Sequence, residues 1–406
     1  MEMVLEFLRD VLSQPALLIG IMSCIGLIAL KRPFHKVMTG TLKPILGYLM
    51  LAAGAGVIVN NLDPLGKMIE HGFHITGVVP NNEAIVAVAQ KVLGVETMSI
   101  LVVGLLMNLC IARFTKFKYV FLTGHHSLFM ACLMSAVLGT AGLSGMELIL
   151  VGGFLMGAWS AISPAIGQSY TSKVTDGDEI AIGHFGSLGY YLSAWVAKYV
   201  GKADDSTEDI EIPEKWGFLR DSTLSTALTM IVFYLIAAIA AGSEFVSTLS
   251  GDMSPYLYAV MSAMNFAVGV TIVYSGVRMI LGDLIPAFQG IATKIIPNAI
   301  PAVDCAVFFT YAPTAVVLGF ISSFIGGIIG MLILGAVGGV LIIPGLVPHF
   351  FCGATAGIYG NATGGRRGAA VGAFLNGLAI TFLPAMALPV LGQLGFQNTT
   401  FGDADF

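Results

Sequence analysis

Along most of its length the chain alternates long apolar runs with short polar breaks. The runs fall at roughly 13–31, 41–60, 97–114, 119–139, 145–166, 223–245, 256–281, 310–334, 337–358 and 368–392. Most approach or exceed the ~20 residues a helix needs to cross a bilayer. They are long and show no strand-like alternation, so the pattern predicts helices throughout and an all-α polytopic membrane protein. One polar interruption stands out, Val174–Tyr190 (VTDGDEIAIGHFGSLGY). Irregular backbone at membrane depth survives only where it lines a cavity or is buried in protein, so a substrate site is expected at this hairpin.

Basic residues orient the runs. Lys31, Arg32, Lys36 and Lys43 follow the first; Arg113, Lys116 and Lys118 follow the third; Lys294 follows the seventh; Arg366 and Arg367 follow the ninth. All fall on one side if the N-terminus is outside. Between the halves lies Gly201–Ser222, with seven acids against three bases. It reads equally as a solvated cytoplasmic linker or as a docking surface for a cytoplasmic partner.

The halves resemble each other. Pro64 matches Pro286, Glu83 matches Asp304 and Gly124 matches Gly345, at offsets of 222, 221 and 221 residues. Five runs separate the equivalents, and an odd number implies opposite orientation. The expected architecture is an inverted-topology repeat with re-entrant hairpins, divided into a scaffold and a mobile core, with substrate held near the midplane. Its parts are a first repeat over 1–200 that includes the hairpin around 174–190, the acidic linker 201–222, and a second repeat over 223–406.

Composition sharpens this picture. The 406 residues are 56% hydrophobic and 11% charged, with a mean hydropathy of +0.87. Soluble domains carry about 25% charged residues, so soluble and nucleic-acid-binding classes are excluded. Fifty glycines suit close helix packing. The five cysteines lie singly in apolar runs and read as small buried hydrophobes. With no Walker A motif, the chain does not itself hydrolyse ATP.

Glu83 and Asp304 each open an apolar run. Carboxylates at membrane depth are costly, so they face a cavity or a partner, or else support a helix N-terminus. An ionised carboxylate accepts hydrogen bonds from hydroxyls. His125 and His126 in LTGHH, and His184 in AIGHFG, sit beside expected helix breaks. Imidazole donates and accepts at once, which suits a hydroxylated ligand. Gly54 and Ala55 could let backbone approach a ligand, or could serve a helix crossing. Asn82 lies beside Glu83 and could bind hydroxyls. The ligands are too scattered for a metal site, and no cofactor is expected.

The stretches LTGHH (122–126), VTDGDEIAIGH (174–184), AVDCAVFFTYAPTAVVLGF (302–320), LIIPGLVP (341–348) and GGRRGA (364–369) resemble the L-ascorbate-type membrane component, enzyme IIC, of bacterial phosphotransferase systems. The resemblance runs in order from about Leu17 to Leu391. It implies a homodimeric multi-pass permease of the bacterial inner or plasma membrane. It also implies elevator-like transport and phosphorylation of the substrate by a separate IIB component, itself served by IIA. Carried over residue by residue, the family's site falls on Gly54, Ala55, His125, His184 and Asp304. The chain departs from the family at Phe185, Phe129 and Met130, where glutamines are usual, and at Glu83, where tyrosine is usual. These changes remove amides and add a carboxylate, which suits a neutral polyol better than anionic ascorbate. The expected substrate is ascorbate or a related small polyhydroxylated compound. The alternative is an ion-coupled secondary transporter with Glu83 or Asp304 as proton carrier. The chain stops at Phe406, about where a further hairpin and span are expected.

Overall fold

Two helices of nearly equal length form the frame. In the computed structural model, which describes residues 11, 14–74, 77, 78, 80, 82–177, 179–210, 222–392 and 400–402, α1 covers Pro15–Ala29 and α2 covers Phe34–Gly72. Later α7 (Ser222–Ala241) and the short α8 (Ser243–Ser250) lead into α9, Pro255–Lys294. Both α2 and α9 start beside a proline, at Pro33 and Pro255, where a fixed φ suits a helix N-terminus. Each also carries an internal proline, Pro64 or Pro286.

These two helices cross through glycine. A Cβ on Gly54 would lie 2.7 Å from the Gly269 carbonyl oxygen, and one on Gly47 would lie 2.9 Å from that of Gly276. The lower number on one helix meets the higher on the other, so the pair is antiparallel. A shift of 222 residues turns Gly47 into Gly269 and Gly54 into Gly276. The repeat therefore exchanges the two contacts, as an inverted repeat requires. Small residues let helix backbones approach in lipid, where the hydrophobic effect supplies no attraction between helices.

The second body contains α3 (Asn82–Phe114), α4 (Gly124–Thr140), α5 (Gly145–Thr175), α6 (Ser187–Val200), α10 (Pro313–Ala336) and α11 (Leu346–Gly392). The repeat persists here. Helix α3 breaks at Leu93, where φ is −133° and ψ 36°. Its counterpart is a 3-10 turn, Cys305–Thr310, followed by α10. The turn between α4 and α5 corresponds to Gly365, with φ +61° and ψ −152°. Gly360 and Gly368 meet across that break. Eight residues would span about 12 Å of continuous helix, so α11 is a hairpin of two legs.

Six helices are long and apolar enough to cross a membrane among the described residues, and α7 with α8, bent by 117°, would make a seventh. Two of the expected full-length runs are corrected. The run at 119–139 opens with a strand, and 337–345 is a turn and extended chain ahead of α11. Both match a span in hydropathy, but the first pairs with another strand and the second turns back on the end of α10 and then bonds to Val78.

Those strands are β1 (Tyr119–Phe121), β2 (Ala181–Ile182) and β3 (Ile300–Val303). They form one parallel sheet with β3 in the middle. Phe121 pairs with Ala302, Ala181 with Ala302, and Ile182 with Val303. Val78 bridges Ile342, also in parallel. Under the repeat this bridge falls within one residue of the β3–β1 pairing.

The acidic segment is built into the second body over 201–210. Arg366 donates to the Ser206 carbonyl at 3.1 Å and pairs with Asp205 at 3.3 Å. Asn361 accepts the Thr207 amide at 2.8 Å. The Glu208 carboxylate accepts the amides of Thr314 at 3.1 Å and Ala315 at 3.1 Å, capping α10. Residues 211–221 lie outside the described residues.

Candidate functional site

Because the three strands are parallel, their C-terminal ends leave the sheet on the same edge. Thr123, the Gly183–His184 pair and Asp304 occupy these three exits. Each exit leads at once into a helical segment, α4 from Gly124, α6 from Ser187 and the 3-10 turn from Cys305. Helix starts such as those of α4 and α6 favour oxygen acceptors and negative charge.

Gly183 allows the exits to close up. Its amide donates to the Val303 carbonyl at 2.7 Å. A Cβ there would lie 2.6 Å from the Ala302 oxygen and 3.1 Å from Thr123 Oγ1. The next residue, His184, is 1% exposed, and His126 of α4 is 4% exposed. Their ring centroids are 3.9 Å apart, tilted by 53°.

The tautomer of His184 follows from its partners. The Gly186 amide donates to Nδ1 at 2.9 Å. An amide hydrogen pointing at Nδ1 makes that nitrogen an acceptor, so the ring proton of the neutral imidazole sits on Nε2. The Tyr190 hydroxyl lies 3.1 Å from the same nitrogen and, with Nδ1 accepting, is the donor. The N–H of His184 is therefore on Nε2.

Asp304 is 7% exposed. Its Oδ1 accepts the Ala306 amide at 3.1 Å and caps the 3-10 turn. Asp304 also lies within electrostatic range of Tyr48, a buried tyrosine of α2. Asp304 therefore lies where the second body meets the frame.

Phe185 stacks on Phe121, with centroids 4.8 Å apart, and joins an apolar cluster with Met130 and Ala302. Its ring meets that of His126 edge-on, with centroids 6.4 Å apart. Gly54 is packed on α9 as described above. Ala55 lies in α2, Asn82 and Glu83 open α3, and His125 lies in the first turn of α4, but their side chains fall outside the described residues.

Of the expected contact residues, the structure brings together His184, Phe185 and Asp304. It adds His126, Thr123, Tyr190 and Tyr48, which sequence reasoning did not select as ligand contacts. Thr123 and Tyr190 lie inside stretches already singled out, LTGHH and Val174–Tyr190. Tyr48 carries no signal, since it is one tyrosine in an apolar run.

The arrangement places a carboxylate acceptor, an imidazole donor and two helix starts around one sheet edge. Such a set can hold a small ligand rich in hydroxyls.

Two comparisons bear on this site. Residues 10–405 match the family model described as the PTS system sugar-specific permease component, EIIC-GAT. The chain is also similar to an ascorbate-specific PTS system EIIC component of Mycoplasma pneumoniae, with 27% identity. That match takes in 89% of this chain, and the chain spans 63% of the length of that relative.

Proposed function

Because the chain belongs to the family of sugar-specific permease components of the phosphotransferase system, we propose that it binds L-ascorbate or a related small polyhydroxylated compound and carries it across the membrane. It is a multi-pass membrane protein of the plasma membrane. In this reading the substrate sits at the strand exits, between His184 and Asp304. The observation that carries the reading is the convergence of buried His126, His184 and Asp304 with two helix starts on one sheet edge.

In this proposal Asn82, Glu83, His125 and the α2 residues Gly54 and Ala55 complete the site. The frame of α1, α2, α7, α8 and α9 acts as a scaffold, and the second body moves past it in an elevator-like step. The protein acts as a homodimer. Leu224, Leu228, Val232 and Ile236 form an exposed apolar stripe on α7 suited to lipid or a second protomer. Phosphoryl transfer lies on a separate IIB component, charged in turn by IIA, and this chain supplies binding and passage.

Calorimetry of the purified protein with L-ascorbate, a pentitol, a hexitol and common sugars tests the substrate. Saturable ascorbate binding supports the reading as stated. Binding of a neutral polyol alone moves the substrate to that class. Vesicle uptake that requires phosphoenolpyruvate and the IIB and IIA components supports the coupling. Uptake driven by a pH gradient without them supports the ion-coupled alternative instead.

A further inference from the structure

Two buried hydroxyls stand at the strand exits. Thr123 is 1% exposed and Ser187 is fully buried. Neither Thr123 Oγ1 nor Ser187 Oγ has a hydrogen-bond partner among the described residues. Their positions make this unusual. Thr123 is the residue before α4, where a threonine side chain normally accepts an amide of the first turn, yet it makes no such bond. The Ser127 amide and hydroxyl go instead to the Thr123 backbone carbonyl, at 3.0 and 3.3 Å. Ser187 opens α6, so it has no preceding turn of helix whose carbonyl its hydroxyl could reach. Gly186, just before it, gives its amide to His184 Nδ1.

Both hydroxyls belong to the segments that carry the histidine pair. Thr123 Oγ1 lies against Gly183, one residue before His184. Ser187 lies three residues after His184. Buried polar groups in folded proteins almost always have a partner.

We propose that Thr123 and Ser187 contact the ligand directly and read its hydroxyl or oxyanion groups, one at the start of α4 and one at the start of α6. The proposal rests on the strand exits being the substrate site. A hydroxyl both donates and accepts, so this pair suits a ligand with several hydroxyls.

The test uses the full chain in lipid nanodiscs, with L-ascorbate, a pentitol and a hexitol as probes. Thr123→Val and Ser187→Ala each weaken binding of the wild-type ligand about tenfold, as expected for loss of one buried hydrogen bond. Thr123→Ser keeps the hydroxyl and binds within about threefold of wild type. The unliganded variants melt no lower than wild type, because neither hydroxyl bonds to any described residue. Unchanged affinity in Thr123→Val and Ser187→Ala, alongside lost affinity in His184→Ala, overturns the proposal while leaving the site in place. A melting temperature several degrees lower without ligand gives the hydroxyls a structural role and overturns it too. Unchanged affinity in all variants, His184→Ala included, removes the site itself, and a wild type that binds no probe removes the ligand class.

Discussion

The Tyr190 hydroxyl and the Gly186 amide converge on one atom, Nδ1 of His184, at 3.1 and 2.9 Å. Two donors on one nitrogen fix both the tautomer and the tilt of the ring. Tyr190→Phe leaves the Gly186 amide in place, so the tautomer is kept while the ring gains freedom. Affinity for the bound substrate is expected to fall about three- to tenfold, the range of a single net hydrogen bond. His184→Ala is expected to abolish measurable binding. Calorimetry on both variants, with circular dichroism to check the fold, separates positioning from contact.

Asp304 has two roles that one substitution can separate. In Asp304→Asn the side-chain oxygen would still cap the 3-10 turn, since asparagine caps as well as aspartate. The amide lacks the charge that a ligand hydroxyl would meet. This variant is expected to keep the melting temperature within a few degrees and to lose at least tenfold in affinity, because charged hydrogen bonds are about twice as strong as neutral ones. An unchanged Kd would leave Asp304 with the cap alone.

Gly54 sits against the α9 backbone, so enlarging it pushes two main chains apart. Gly54→Leu and Gly276→Leu are each expected to cost about 1–3 kcal/mol or more, as overpacking does. The measurement is thermal unfolding in detergent. Gly54→Ala, the smallest step, is expected to lower stability before it changes the affinity of the folded fraction. The opposite order would make Gly54 a ligand contact.

Glu208 holds the first amides of α10 from outside the helix. Glu208→Ala is expected to cost about 0.5–1 kcal/mol, at the lower end for a cap because the carboxylate is exposed. Glu208→Gln keeps an acceptor and is expected to cost less. A shift in melting temperature for Ala but not Gln identifies capping, and equal shifts would point to charge.

Gly183→Ala is expected to disrupt the site as a whole. The added Cβ meets the Ala302 carbonyl, which β3 holds in place on both sides. Loss of binding by Gly183→Ala with retained helicity would locate the damage at the strand exits.

The repeat was legible because prolines and carboxylates keep their spacing through apolar sequence. Pro64 with Pro286, and Gly124 with Gly345, recur at nearly one offset, and the helices follow them. The sheet was not legible. Strands of three, two and four residues are too short to show alternation, and Ala181 and Ile182 read as any apolar pair. Of the site, His184 and Asp304 could be found because a polar residue is rare in such sequence. His126 could be seen but not chosen over His125, since facing across a crossing depends on helix phase. Tyr48 and Tyr190 were hidden because tyrosine is ordinary in an apolar helix, and only the fold shows what its hydroxyl reaches. In the 201–210 segment, composition did not show that Asp205 and Glu208 serve as ion-pair partner and helix cap as well as meeting water.

The glycine crossing of α2 and α9 also bears on mechanics. Where backbone rests on backbone there are no rotamers between the helices to rearrange. A load applied at one end of such a joint meets little that can yield, so the pair transmits it with little loss, like a rigid strut. Bending the pair would have to part main chain from main chain at Gly47 and Gly54.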